Sequence, residues 1–158
     1  MDSVTKGMTP IVQTVSGWVK GFILVFGIYL VLYGHLTPGG GFGGGVVVAM
    51  ALVLLVLAHG KEEGLKRMPM HVAGELDSVG ALMFLVIAIL GMFAGLGGSF
   101  FNNFIAKAYP GEPYTLLSAG TIPLANIAIA LKVASSLFVV FMMLVLLRVV
   151  YTEPGKDS

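Results

Sequence analysis

Apolar residues run on without polar alternation in four stretches of this chain, near Ile11 to Gly34, Gly41 to His59, Val79 to Gly98 and Ile122 to Val150. Each is close to the ~20 apolar residues that a helix needs to cross a ~30 Å hydrocarbon layer. The strands of a membrane barrel would be shorter and would alternate apolar and polar positions, which these stretches do not. The pattern predicts an all-α integral membrane protein: a bundle of four transmembrane helices in a single membrane domain over 1–158, with a Gly-rich hairpin between the first two.

Composition agrees. The chain of 158 residues is 57% hydrophobic and 11% charged, too oily to hide its apolar side chains in a soluble fold of this length. The net charge of +1 and the scattered basic residues give no hint of nucleic-acid binding, and no nucleic acid is expected as a partner. With no cysteine, disulfides, cysteine-ligated iron–sulfur clusters and thiolate chemistry are excluded as well. The segment Met1 to Lys6 lacks a short apolar core ahead of a cleavage site, so the first span is expected to be retained.

Charge orients the bundle. Lys6, Lys61, Lys66, Arg67, Arg148 and Lys156 fall on one side and only Lys107 on the other. The positive-inside rule then places both termini and the loop from Gly60 to Ser78 in the cytoplasm of a multi-pass cell-membrane protein. In the longer outer connection, Phe100, Phe101, Phe104, Ile105 and Ala108 share one helical stripe opposite Asn102, Asn103 and Lys107. This suits a short helix lying in the interface, or an irregular loop with that spacing, before the break at Tyr109-Pro110-Gly111-Glu112-Pro113.

The hairpin from Gly34 to Gly45 ends one span and starts the next abruptly, because Pro38 cannot continue a helix and its glycines let backbones approach closely. It is no phosphate loop: Val46, Val47 and Val48 stand where a Lys and a Ser or Thr are needed. Pro38, Gly39, Gly40, Gly41 and Gly44, with Asn126 ahead of the last span's Lys, are expected to serve packing against other subunits. Gly91, Gly95, Gly97 and Gly98 offer a further close-contact face.

Few ionisable residues lie inside spans. Lys132 sits about 6 Å from the middle of the last apolar run at ~1.5 Å per residue. Its neighbours at helical spacing, Ala128, Ser135 and Ser136, make a small and polar stripe. A Lys there needs an anion or a water-filled cavity, unless the helix slides outward and the side chain snorkels. Glu75 and Asp77 read as the entrance of the third span, either collecting cations or starting a helix, and Glu112 falls in the outer loop. The partner carboxylate for Lys132 is therefore expected from a neighbouring subunit. His35, at the outer end of the first span, either relays protons or caps the hairpin. Lys20, beside Trp18, reads as an interfacial anchor.

Catalytic patterns are missing. His35, His59 and His71 lie at span ends or in a loop rather than at matched depth on facing spans, and no zinc-protease, serine-nucleophile or intramembrane aspartate pattern occurs. No redox or other cofactor is expected. Two readings remain, a subunit that helps to form an ion path and a structural scaffold that holds other subunits together.

Two segments, Gly34-His35-Leu36-Thr37-Pro38-Gly39-Gly40-Gly41-Phe42-Gly43-Gly44 and Ser118-Ala119-Gly120-Thr121-Ile122-Pro123-Leu124-Ala125-Asn126 with Leu131-Lys132-Val133, closely resemble the MrpB family, one of the component subunits of the Mrp-type sodium/proton antiporters. The same domain recurs in archaeal membrane-bound hydrogenases and sulfane reductases. Gly43 stands where that family usually has Gln. The resemblance implies a small helical subunit without redox cofactors, lodged in lipid among other antiporter-like subunits and needed for coupling sodium ions to protons. The scaffold alternative would join such subunits in a hydrogenase-type respiratory complex. With no internal repeat to build an alternating-access site, four spans are expected to act only within a larger assembly.

Overall fold

A computed structural model of the chain describes residues 8–94, 99–108, 112, 114–116 and 118–152, with backbone alone at 94 and 148–152. Four helices are long and apolar enough to cross a membrane: α1 (Pro10–Leu32), α2 (Gly40–His59), α4 (Met70–Ala94) and α6 (Ile122–Thr152). Two short ones lie between them, α3 (Lys61–Arg67) and α5 (Phe104–Ala108). Among the described residues there is no strand.

The spans pack in the order α1, α2, α6, α4, so the chain's second and last spans are central and α1 and α4 lie on the flanks. Small residues set this order. On the α1–α2 seam, a side chain at Gly27 would press on Val47 and Val48, and one at Gly44 would meet Val31 at 2.5 Å. Between α2 and α6 the contact is tighter still. A Cβ at Gly41 would collide with the backbone of Asn126, and one at Gly45 would lie 2.9 Å from the Ala130 carbonyl. Gly80 lets α4 approach α6 in the same way, its missing Cβ lying 2.8 Å from the Lys132 nitrogen. Gly41 and Gly44, expected at contacts with other subunits, thus make close contacts inside the chain. Gly43 faces open space.

The hairpin from α1 to α2 turns on Gly39 (φ 109°) and Gly40 (φ 54°), conformations that cost a side-chain-bearing residue strain. Pro38 is exposed beside them. At the opposite end, α3 folds back so that Gly64 abuts Val56. There Val56, Ala73, Phe138 and Met142 form a buried cluster covered by Leu52, Leu65, Met68 and Met70.

One expectation needs correction. The third span begins at Met70, not near Val79, so Glu75 and Asp77 lie inside the helix instead of at its entrance. Asp77 is accommodated there because it finds donors on α6. Three of the four residues of the proposed glycine face, Gly95, Gly97 and Gly98, lie outside the described residues. Among the described residues of the outer connection, Phe104–Ala108 is helical and the residues from Ser99 to Asn103 are not. Phe101 has a φ of 63°, and the backbone of Phe101 and Asn102 seats on Gly91. The Asn103 side chain holds the loop: its Nδ2 donates to the Ala119 carbonyl (2.8 Å), and its Oδ1 accepts from the Thr121 N–H (2.9 Å) and the Ala106 N–H (3.2 Å). Most of the Tyr109 to Pro113 break lies outside the described residues.

Candidate functional site

Depth follows from helix register. Gly41 packs on Asn126 and Gly45 on Ala130, so α2 and α6 run side by side in the same direction with a constant offset. The middle of α2, at Ala49 and Met50, is therefore level with Ala134 and Ser135, which are also the middle of the apolar stretch Ile122–Leu147 of α6. Lys132 and Ser136, one turn apart, bracket that level. Lys132 lies about 4 Å to the hairpin side of it at ~1.5 Å per residue.

At this level α4 supplies Asp77. Lys132 Nζ donates to both carboxylate oxygens, at 2.9 Å to Oδ1 and 3.0 Å to Oδ2, and the Ser136 hydroxyl donates to Oδ1. The expectation that no acid of this chain pairs with Lys132 is thereby overturned. A span starting near Val79 leaves Asp77 at the membrane boundary, whereas the earlier start of α4 and its antiparallel approach at Gly80 carry it to mid-depth. Ser135, beside the pair, is buried and donates back to the Leu131 carbonyl at 2.6 Å. Its hydroxyl is thus used within α6, and it is Ser136 that faces the acid.

The pair is not sealed inside the chain. The side chains of Lys132 and Asp77 are 47% and 31% exposed, on the side of the α4–α6 seam that no described element covers. Two of the three Lys132 protons are committed to Asp77 and one is free for another acceptor. Asp77 can exchange this ammonium for a proton or a metal cation, and Lys132 then needs a second acceptor or must retreat.

The other proposed site residues are scattered. Glu75 is exposed on the opposite side of α4 and has no ion pair or hydrogen bond among the described residues. His35 lies in the connection after α1, where its Nε2 is 3.1 Å from Ser118 Oγ and 3.2 Å from the Thr115 carbonyl, and its buried Nδ1 has no partner. Roughly ten residues of α6, about 15 Å, separate that end from Lys132. Asn126, 8% exposed, accepts the Gly41 N–H at 3.2 Å through Oδ1 and joins the hairpin to α6, while its Nδ2 has no partner. No group of three or more metal-ligating side chains occurs among the described residues.

A sequence signal for Asp77 as the partner of Lys132 does exist. Asp77 and Gly80 lie one turn apart, a spacing that offers an acid beside a bare backbone patch, and Lys132 and Ser136 form the matching turn of donors.

Known proteins resemble this chain. A family model for a domain related to the MnhB subunit of Na+/H+ antiporter matches residues 11–140. An uncharacterized protein of Methanocaldococcus jannaschii is 34% identical over 154 residues, which are 95% of this chain and 57% of that protein. The candidate antiporter subunit mnhB2 of Staphylococcus aureus is 39% identical over 85 residues, 54% of this chain and 60% of its own length. A chain of the membrane-bound sulfane sulfur reductase, an archaeal respiratory membrane complex, superposes with a TM-score of 0.70 at 25% identity, covering 91% of this chain and 63% of the other. This chain therefore spans about three fifths of the length of these relatives. With a family match over most of its length and four apolar helices in the same arrangement, the chain belongs to the family of domains related to the MnhB subunit of Na+/H+ antiporters.

Proposed function

We propose that this chain is a non-redox membrane subunit of a multi-subunit Mrp-like sodium/proton antiporter module, and that Asp77, Lys132 and Ser136 line its ion path. The observation that carries this reading is the paired Asp77 and Lys132 at mid-depth, open on one side. A proton or sodium ion arriving at Asp77 competes with the Lys132 ammonium for the same oxygens. Release of Lys132 towards another acceptor then passes charge to the next site. Neighbouring subunits and lipid enclose the open side, and both termini face the cytoplasm.

Substitution at Lys132 tests the path. In an assembled complex, Lys132→Met is expected to lower sodium-dependent proton flux in vesicles by about an order of magnitude, the scale of losing an intramembrane ion pair. Near wild-type flux in the assembled Met variant overturns the proposal. Lys132→Arg retains a charge that does not deprotonate, so it abolishes flux only if Lys132 itself carries the proton. A scaffold reading has its own support, since the same ion pair clamps α4 to α6; it is favoured if Lys132→Met loses the complex and flux together.

Orientation is tested by cysteines placed singly at Lys61 and Lys107 in a chain that has none. An impermeant maleimide is expected to label position 107 in intact cells and position 61 only after permeabilisation. The reverse result inverts the topology.

A further inference from the structure

We propose that the outward face of α4 around Glu75 is a docking surface for a membrane-spanning helix of another subunit that carries a Lys or Arg at mid-depth. Glu75 precedes Asp77 by two residues, so on an α-helix its side chain leaves about 200° around the axis from Asp77 and only about 3 Å away along it. Asp77 faces α6 at the level of Lys132 and Ser136. Glu75 therefore points away from the bundle at nearly the same depth, and it is exposed there.

Register with α6 puts Glu75 about 4 Å from the level of Ala134 and Ser135, and five residues, about 7.5 Å at ~1.5 Å per residue, inside the start of α4 at Met70. A carboxylate there lies inside the span, on a side chain shorter than that of a Lys that reaches headgroup water from a span end. Among the described residues no cation or hydrogen-bond donor reaches Glu75. Its neighbours around that side of α4 leave room for another helix. Gly74 has open space where a Cβ would stand, and Ser78 has turned its hydroxyl back to the Gly74 carbonyl at 3.0 Å. Further along, the face becomes purely apolar at Leu82, Leu85 and Ile89. A lipid tail can cover those residues, but it leaves an acid at Glu75 uncompensated. A helix with a Lys or Arg at that level satisfies both parts of the face.

This inference rests on the reading of the chain as a subunit of a larger complex, and the test separates the two. A photo-crosslinking amino acid is placed at position 75, the complex is purified from its own host in mild detergent, and the crosslinked peptide is identified by mass spectrometry. The expected product joins position 75 to a membrane-spanning segment of a co-purifying subunit, within one helical turn of a Lys or Arg. In the same complex Glu75→Lys is expected to lose that subunit, and reversal of the neighbour's cation to Glu is expected to restore it. If other subunits co-purify but position 75 links only to lipid or to a second copy of this chain, the docking surface is wrong and the subunit reading stands. Full retention of the neighbour in Glu75→Lys is equally fatal to it. If nothing co-purifies with the unsubstituted chain, both readings fall.

Discussion

Along its α2 side, helix α6 meets its neighbour through backbone: Gly41 and Gly45 leave no room for a side chain against Asn126 and Ala130, and the buried Asn126 amide takes a main-chain N–H of α2. Along its α4 side the approach is as close at Gly80, but one turn further it opens into Asp77, Lys132 and Ser136, whose charged groups stay partly exposed. The first seam has one packing solution and nothing to titrate. The second carries an ion pair that stays partly exposed. In the proposed ion path, a helix fixed on one side and charged on the other would let charge be handed on without unpacking the frame.

The comparison breaks most completely if the fixed seam tolerates bulk. Gly45→Leu is expected to prevent recovery of folded protein, since overpacking against backbone costs about 1–3 kcal/mol even where neighbours can yield, and here carbonyl and Cα atoms of α6 cannot. Size-exclusion profiles and thermal scans of the purified variant measure this; a monodisperse, wild-type profile removes the contrast between the two seams.

At the charged seam the expected loss is of function before structure. Asp77→Asn leaves Lys132 without its anion and should reduce vesicle flux by about an order of magnitude together with a lower unfolding temperature. Adding Lys132→Gln to that variant removes the stranded cation, so thermal stability should return while flux does not. Recovery of both would show that the pair is a clamp rather than a path.

The smallest effect is expected at Gly43, which faces open space one residue from the buried Gly44. Gly43→Leu should leave the isolated chain's unfolding temperature within a few degrees of wild type, and replacing a helical Gly by a better helix former adds about 0.5–1 kcal/mol in its favour. If the variant nevertheless fails to enter the complex on native gels, the outward side of the hairpin is a contact with a neighbour, and close glycine packing extends beyond the chain.

Sequence alone determined the class, the number of spans and most of their limits, because a spanning helix must be long and apolar whatever it packs against. It also marked Lys132, since a lone ammonium in an apolar run is conspicuous without any knowledge of its surroundings. Glu75 and Asp77 were legible as acids but not as residues at depth: polar residues ahead of an apolar run look the same whether they precede a helix or lie inside it. Only the tertiary structure settled that, through Gly80, which lets α4 slide against α6 until Asp77 meets Lys132 and Ser136. The same contact turned Glu75 to the other side. Which glycines close on the chain itself and which remain open was likewise decided in three dimensions, because adjacent residues of one motif, Gly43 and Gly44, point about 100° apart on a helix and meet entirely different surroundings.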